Sequence, residues 1–320
     1  MAVSKLISSL ANDCIEARNR VSADIIKTPL IPSKLELSEK TQVFYKSENF
    51  QITGSFKVRG ALSKLSKLPT VSPVITASSG NHGIACSYAA KTTGHKLTVV
   101  LPENVSRAKL SKIESFGTKT ILNPGDSGLA ERKARELASS GNYTYVSPYN
   151  DNLIMAGQGT IALEILEQQP EVDNIFVSMG GGGLISGIGS VIKSFSANAK
   201  IIGVSAINSA ALSASISAGN VVETEHLETL ADGCAGGVDE DSLTLPIATE
   251  VIDKIIHCSE VEILESLQIL AWKEKVLVEG SAALALAGYL KKKKEYEGKN
   301  NVILLCGANF DKDLILEKIS

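Results

Sequence analysis

Lys57 is the residue whose type and setting point most directly to chemistry. It lies in Ser47-Glu48-Asn49-Phe50-Gln51-Ile52-Thr53-Gly54-Ser55-Phe56-Lys57-Val58-Arg59-Gly60-Ala61. This stretch reads as the end of a strand, a tight turn at Gly54 and the start of a helix that carries Phe56, Ala61 and Leu62 inward. Lys57 then falls in the first helical turn, beside an aromatic ring and among small or apolar neighbours. A lysine held there is partly desolvated and close to the positive N–H end of the helix, and both effects lower its pKa. An amine with a depressed pKa forms a Schiff base with a carbonyl compound. Alone, the same pattern also describes a solvated lysine at a helix start, so the reading depends on its companions.

Three other stretches supply them. Ser178-Met179-Gly180-Gly181-Gly182-Gly183-Leu184 follows an apolar strand and opens a helix. Its glycines expose consecutive N–H groups at the positive end of that helix, a cup for a phosphate. No Lys-Ser/Thr follows, so it is not a P-loop, and its spacing is not the dinucleotide fingerprint. A plain turn does not need four adjacent glycines, each of which loses much backbone entropy on folding. Ser78-Ser79-Gly80-Asn81-His82-Gly83 also joins a strand to a helix. Its N–H groups can hold a carboxylate, Asn81 can bond a phenolic or carbonyl oxygen, and the Ser79 hydroxyl can move a proton; an ordinary helix cap is the plain alternative. Cys306-Gly307-Ala308-Asn309 ends the last strand, where open α/β sheets place their ligands. A thiol there is either a small buried hydrophobe or a neutral donor able to face a ring nitrogen without adding charge.

The elements that must position these residues alternate in type. Leu6, Leu10, Cys14, Ala17 and Val21 mark an amphipathic helix, and Lys27 to Pro32 is extended. Strands at 74–77, 97–101, 118–122 and 143–146 are separated by helices at 83–91, 107–116 and 129–138. A second series follows, with helices at 159–167 and 184–195 and strands at 175–178 and 200–205. After a less regular stretch come helices at 247–255, 261–273 and 282–291 and a last strand at 302–305. Such alternation signals βαβ units and parallel sheets. The expected architecture is α/β, with two open, twisted parallel-sheet domains. A small domain, 68–147, is inserted in a large one made of 1–67 and 148–320.

Composition narrows the class. The 320 residues are 44% hydrophobic and 21% charged with a net charge of -3, which favours neither nucleic acid nor an anionic membrane surface. Cys14, Cys86, Cys234, Cys258 and Cys306 form no C-x-x-C pair and no ligand-like pattern with histidine, which argues against zinc and against a disulfide framework. No apolar run is long enough to span a bilayer and no secretory leader is evident, so a cytoplasmic location is expected.

Together these stretches resemble the fold-type II pyridoxal-phosphate enzymes, in particular the serine/threonine dehydratase and serine racemase group. The similarity runs nearly the whole length and in order: Ser47 to Ala61, Ser78 to Gly83, Ala156-Gly157-Gln158-Gly159-Thr160, Gly180 to Leu184, Ala231-Asp232-Gly233, Glu279-Gly280-Ser281 and Cys306 to Asn309. The resemblance implies the tryptophan synthase β-like fold, a homodimer, and pyridoxal phosphate held through Lys57. It implies that Phe56 packs on the ring and Asn81 bonds its 3′ oxygen. Gly180, Gly181, Gly182 and Gly183, with Leu184, would grip the phosphate, Glu279 would lie near the ring edge, and Cys306 would face the ring nitrogen. The substrate carboxylate would fall to Ser78, Ser79, Gly80, Asn81 and His82, with Gly233 on the substrate side of the ring and Tyr149 near the pocket.

The implied reaction is β-elimination of L-serine or L-threonine. Lys57 takes the α-proton, the β-hydroxyl leaves, and hydrolysis gives a 2-oxo acid and ammonia. One methyl changes discrimination by only about 1–3 kcal/mol, so the two substrates are not ranked. Serine racemase is the alternative, because Ser79 matches the serine that serves racemases as the second acid. A pyridoxal-phosphate-binding protein without catalysis is a third reading, which intact Lys57 and Asn81 oppose. Metal-dependent members of the group carry a carboxylate pair where this chain has Ser205 and Ala211, with Ser209 between. No metal is expected.

Overall fold

The computed structural model describes residues 3–319. Its first helix, Lys5–Val21, buries Leu10, Cys14, Ala17 and Val21 along one face, but the stripe opens on Ile7 rather than on the expected Leu6, which is exposed. Two strands follow, β1 (Leu30–Pro32) and β2 (Gln42–Ser47), paired antiparallel. In the turn after β2, Gly54 has φ +76° and a Cβ there would lie 2.9 Å from Asn309 Oδ1, so a side chain is excluded twice over. The chain then enters the helix Lys57–Leu65.

A four-stranded parallel sheet comes next: β3 (Val74–Ala77), β4 (Leu97–Pro102), β5 (Lys119–Asn123) and β6 (Thr144–Tyr145), in the order β5-β4-β3-β6. Val74, Ile75, Val99, Val100 and Leu101 are wholly buried, the continuous apolar runs of strands covered on both faces. Helices Asn81–Thr93, Arg107–Glu114 and Ser127–Leu137 connect them.

The chain then returns to its first sheet. Strands β7 (Asn174–Ser178), β8 (Lys200–Ala206), β9 (Lys254–Cys258) and β10 (Asn300–Leu305) complete six strands in the order β1-β2-β10-β7-β8-β9. All but β1 run parallel, and β10 lies between β2 and β7 with Leu305 opposite Ser47 and Ile303 opposite Phe176. The loops that leave β2, β7 and β10 therefore open at one edge. They carry the Lys57 turn, the four glycines and Cys306.

Some elements differ from the sequence-based expectation. The helix expected over 247–255 ends at Val251, and Lys254–Cys258 is the edge strand β9. The Asp253 carboxylate accepts from Ile201 N at 2.8 Å, which pins the chain beside β8, and β-branched Ile255 and Ile256 suit the strand. The helix expected from Gly159 starts at Asn152, capped by the Asp151 carboxylate. Gly157 and Gly159 lie inside it because neighbouring backbone comes very close: a Cβ would meet Arg59 O at 2.4 Å and Gly187 O at 2.8 Å, respectively. Helices Ala211–Ala218 and Lys312–Ile319 lie outside the sequence-based expectation.

Candidate active site

Lys57 is the first residue of its helix, and the preceding Phe56 makes no side-chain cap. Phe56 N donates to Cys306 O at 3.0 Å and Ala308 N to Gly54 O at 2.8 Å, which staples this turn to the end of β10. Lys57 Nζ donates to Pro148 O at 2.8 Å and lies 5.3 Å from the Phe56 ring centroid. Burial holds its pKa below the usual lysine range, and the Glu279 carboxyl opposes this more weakly.

The helix is anchored from behind. Wholly buried Arg59 donates to Glu48 through Nε and Nη2 at 2.7 and 2.8 Å, and to Glu164 through Nη1 and Nη2 at 2.7 and 2.9 Å. Buried Lys46 adds a bond to Glu164 Oε2 at 2.6 Å. Two cations and two carboxylates neutralise one another in bidentate geometry. They fix the Lys57 helix to the end of β2 and to helix Asn152–Gln168.

Opposite Lys57, Glu279 gathers three loops. Its Oε1 accepts from Asn81 Nδ2 at 2.8 Å and its Oε2 from Asn309 N at 3.0 Å. Asn309 Nδ2 donates to Asn81 Oδ1 at 2.6 Å and to Thr53 O at 2.8 Å. Burial, and then the charge of Asp232, push the Glu279 carboxyl up to about 7, while the bonds from Asn309 and Asn81 pull the other way. Asn81 is thus held from two sides.

The four glycines are packed so closely against neighbouring chain that side chains have no room there. A Cβ at Gly181 would sit 2.5 Å from the Tyr149 ring, and one at Gly182, where φ is +90°, 2.9 Å from Thr244 Oγ1. A Cβ at Gly180 would lie 3.1 Å from the Cys234 backbone. Thr244 Oγ1 donates to Gly181 O at 2.7 Å. Helices starting after Phe56, Gly80, Gly182 and Glu279 have no side-chain cap, nor do those starting after Ala210 and Leu243, whereas Ser4, Ser106, Asp126, Asp151 and Ser259 cap others. Uncapped N–H groups are free for a ligand. The buried Ser55 hydroxyl also lacks a hydrogen-bond partner, and Ser281 Oγ would lie 2.9 Å from a Cβ at Gly233. Burial raises the Cys306 thiol far above its ordinary pKa, so it stays neutral. An amine of lowered pKa, an uncapped glycine cradle and a neutral thiol fit pyridoxal phosphate.

The remaining expected residues lie around the same opening. Ser78 Oγ accepts from Gly80 N at 3.2 Å, Ser79 is half-buried, and Gly233 sits in the turn Asp232–Cys234. His82 is buried, with Nε2 on Val146 O at 3.1 Å, and burial followed by the Lys57 charge lowers its pKa to about 3. Its imidazole is neutral and committed, so what His82 offers a carboxylate is its main-chain N–H. Leu184 is buried in the first turn after the cradle. Tyr149 Oη accepts from Asp239 N at 2.9 Å. Where a cation was not expected, Ser209 Oγ bonds His226 Nδ1 at 2.9 Å and accepts from Gly236 N at 3.1 Å. Thr244, Pro148, Cys234 and the Asn309 side chain are additions that the structure makes. Asn309 ends the stretch Cys306-Gly307-Ala308-Asn309 and so carries a local signal, whereas Thr244 has none.

The sheets and this site define a two-domain tryptophan synthase β-like fold of the pyridoxal-phosphate type. A family model described as "pyridoxal-phosphate dependent enzyme" matches residues 21–307, and the chain belongs to that family. It is 39% identical over 308 residues to the catabolic L-threonine dehydratase of Staphylococcus aureus (strain N315), covering 93% of this chain and 88% of that protein. Among solved structures, the processed form of threonine deaminase isoform 2 from Solanum lycopersicum is 28% identical with a TM-score of 0.91, covering 100% of this chain and 94% of that one. Maize serine racemase is 28% identical with a TM-score of 0.88, covering 97% and 96%. The protein is a pyridoxal-phosphate-dependent enzyme.

Proposed function

We propose that this protein is an ammonia-lyase that converts L-serine and L-threonine to a 2-oxo acid and ammonia. The observation that carries the reading is Lys57: a half-buried amine of lowered pKa at an uncapped helix start, stapled to a strand end that presents a neutral thiol. The dehydratase relative at 39% identity favours elimination over other chemistry of the fold.

Bound pyridoxal phosphate supplies an electron sink for the pair left when Cα loses its proton. Lys57 would anchor it covalently, and its amine, once displaced by the substrate's amino group, would be free to take that proton. Gly180 to Gly183 and Leu184 hold the phosphate by main-chain N–H groups, with Phe56 against the ring. Asn81, fixed by Glu279 and Asn309, would bond the ring oxygen, and the neutral Cys306 thiol would face the ring nitrogen without adding a charge to it. The N–H groups from Ser78 to His82 take the substrate carboxylate beside Gly233 and Tyr149. No metal takes part. Residues 68–147 act as the small domain and 1–67 with 148–320 as the large one. No helix among the described residues is long and apolar enough to cross a membrane, in keeping with a cytoplasmic enzyme. Ile26, Phe50 and Ile52 are exposed around Gln51, whose side chain bonds the Ile26 backbone, and this ridge suits the homodimer we assign.

Serine racemase is the second reading, favoured by Ser79 at the half-buried mouth of helix Asn81–Thr93. One assay separates the two. The purified protein is supplied with pyridoxal phosphate and L-serine or L-threonine, with and without EDTA, and 2-oxo acid, ammonia and D-serine are quantified. Abundant 2-oxo acid with little D-serine, insensitive to EDTA, is expected. Dominant D-serine would make it a racemase, loss of activity in EDTA would overturn the metal-free assignment, and no turnover would leave a binding protein.

A further inference from the structure

Away from the chemistry, a short segment spans the two sheets. At its start, Asp239 receives both Oδ contacts from Arg135 Nη2, each at 3.1 Å. Arg135 belongs to helix Ser127–Leu137 of the four-stranded half. That guanidinium is already fixed, since Nε and Nη2 donate to Glu131 Oε1 at 3.0 and 2.8 Å and it lies 4.7 Å from the Tyr145 ring centroid. At its other end, Thr244 bonds Gly181 O in the glycine cradle. Between them, Asn150 clips the segment twice: Nδ2 donates to Asp239 Oδ2 at 3.1 Å, and Oδ1 accepts from Leu243 N at 2.7 Å. Asp239 N donates to the Tyr149 hydroxyl, whose ring lies against Gly181.

We propose that Arg135 and Asp239 are positioning residues for the cofactor cradle. Their ion pair ties the four-stranded half to the strap Asp239–Thr244 and so holds Tyr149 and Thr244 against Gly181 and Gly182. The inference rests on Gly180 to Gly183 being the phosphate site. An exposed ion pair is ordinarily weak because two mobile side chains must be ordered. Here Glu131 and Tyr145 have already ordered the arginine, and a planar fork loses little further freedom on pairing. The pair is an ionic link from the small-sheet side to the strap, so losing it frees the segment that walls the cradle without touching the cradle itself.

Cofactor release reads this out. Holoenzyme is dialysed and the loss of its visible absorbance is followed for wild type, Arg135→Ala, Asp239→Asn and the double variant, with amide hydrogen exchange over 147–151 and 239–244. Each single variant should release cofactor about three- to ten-fold faster, with faster exchange in both segments, and the double variant should be no worse than either. Arg135→Lys should recover part of the retention in low salt, and salt should accelerate release from wild type more than from Arg135→Ala. Asp239→Asn keeps an acceptor for Asn150, so it tests the charge even if the alanine variant folds poorly. Wild-type release rates in the singles, or effects that multiply in the double, would overturn the proposal. A wild-type protein that never develops the absorbance would instead overturn the cradle assignment.

Discussion

Asn81 and Glu279 stand 198 residues apart in the chain and share a 2.8 Å hydrogen bond in which the amide donates to the carboxylate. The bond joins the start of helix Asn81–Thr93, in the four-stranded half, to the start of helix Gly280–Lys292 in the six-stranded half. It also fixes which way Asn81 faces, because the amide nitrogen is engaged by Glu279 and the amide oxygen by Asn309.

Glu279 makes the stability of the cofactor-free protein depend on pH in a predictable direction. Its carboxyl titrates near 7 when folded against 4.5 as the ordinary value, so the folded chain binds this proton more tightly than the unfolded one. The group's contribution is then most favourable below about pH 4.5 and declines as pH rises to about 7, by roughly 3 kcal/mol. Glu279→Gln removes that decline and loses one hydrogen bond, worth about 1 kcal/mol. In urea unfolding, the variant should be less stable than wild type at pH 4.5 and gain on it steadily up to pH 7. Parallel curves over that window would show that Glu279 is not titrating there.

Lys57 should be a stability liability in the cofactor-free protein. Its single hydrogen bond, to Pro148 O, offsets only part of the burial of an ammonium. Lys57→Met keeps the length and removes the charge, and should stabilise the cofactor-free protein by about 1–2 kcal/mol near pH 7. Because the folded amine loses its proton below the ordinary 10.5, wild-type stability rises as pH approaches that value, and the variant's advantage shrinks. The same substitution should abolish both turnover and the visible absorbance of the bound cofactor. A variant that keeps full turnover would remove Lys57 from the mechanism.

The parts of this site that could be read in advance are those whose chemistry is local in the chain. Lys57 after an aromatic, and Gly180 to Gly183 after an apolar strand, announce themselves because helix starts and glycine turns are short-range features. The alternation of strands and helices gave the α/β class for the same reason. What stayed hidden depends on distant approach. Thr244 matters because it meets Gly181, and Asp239 because it meets Arg135 and Tyr149, with nothing in either neighbourhood to mark them. Gly159 read as a helix start, yet it and Gly157 are the contact points at which Gly187 and Arg59 press on the helix backbone. Strand β9 was hidden in an apolar run whose helix and strand readings differ only in what packs beside it.

Ser79 divides the two readings of the chemistry. If it supplies a proton on the face opposite Lys57, Ser79→Ala should leave 2-oxo acid formation within about three-fold of wild type while cutting D-serine formation by about ten-fold or more. The decisive quantity is the ratio of the two products from one reaction of L-serine. An unchanged ratio would mean that the hydroxyl plays no part in moving the proton.

Arg59 should carry a larger share of stability than any surface ion pair. Removing it leaves Glu48 and Glu164 buried with Lys46 as the remaining cation, and an uncompensated buried charge costs about 3–5 kcal/mol. Arg59→Ala should therefore lower unfolding free energy by that amount at neutral pH, with part of the loss recovered as pH falls and Glu48, deprived of the guanidinium that lowers its pKa, protonates. Arg59→Lys keeps the charge but not the fork that meets both carboxylates at once, so an intermediate loss is expected. Pairing Arg59→Ala with Glu48→Gln should be less harmful than the sum of the two single changes, because the second removes one of the stranded charges. Urea midpoints for the four proteins test this. Additive losses, or a loss below about 1 kcal/mol for Arg59→Ala, would show that the cluster is not what holds the Lys57 helix in place.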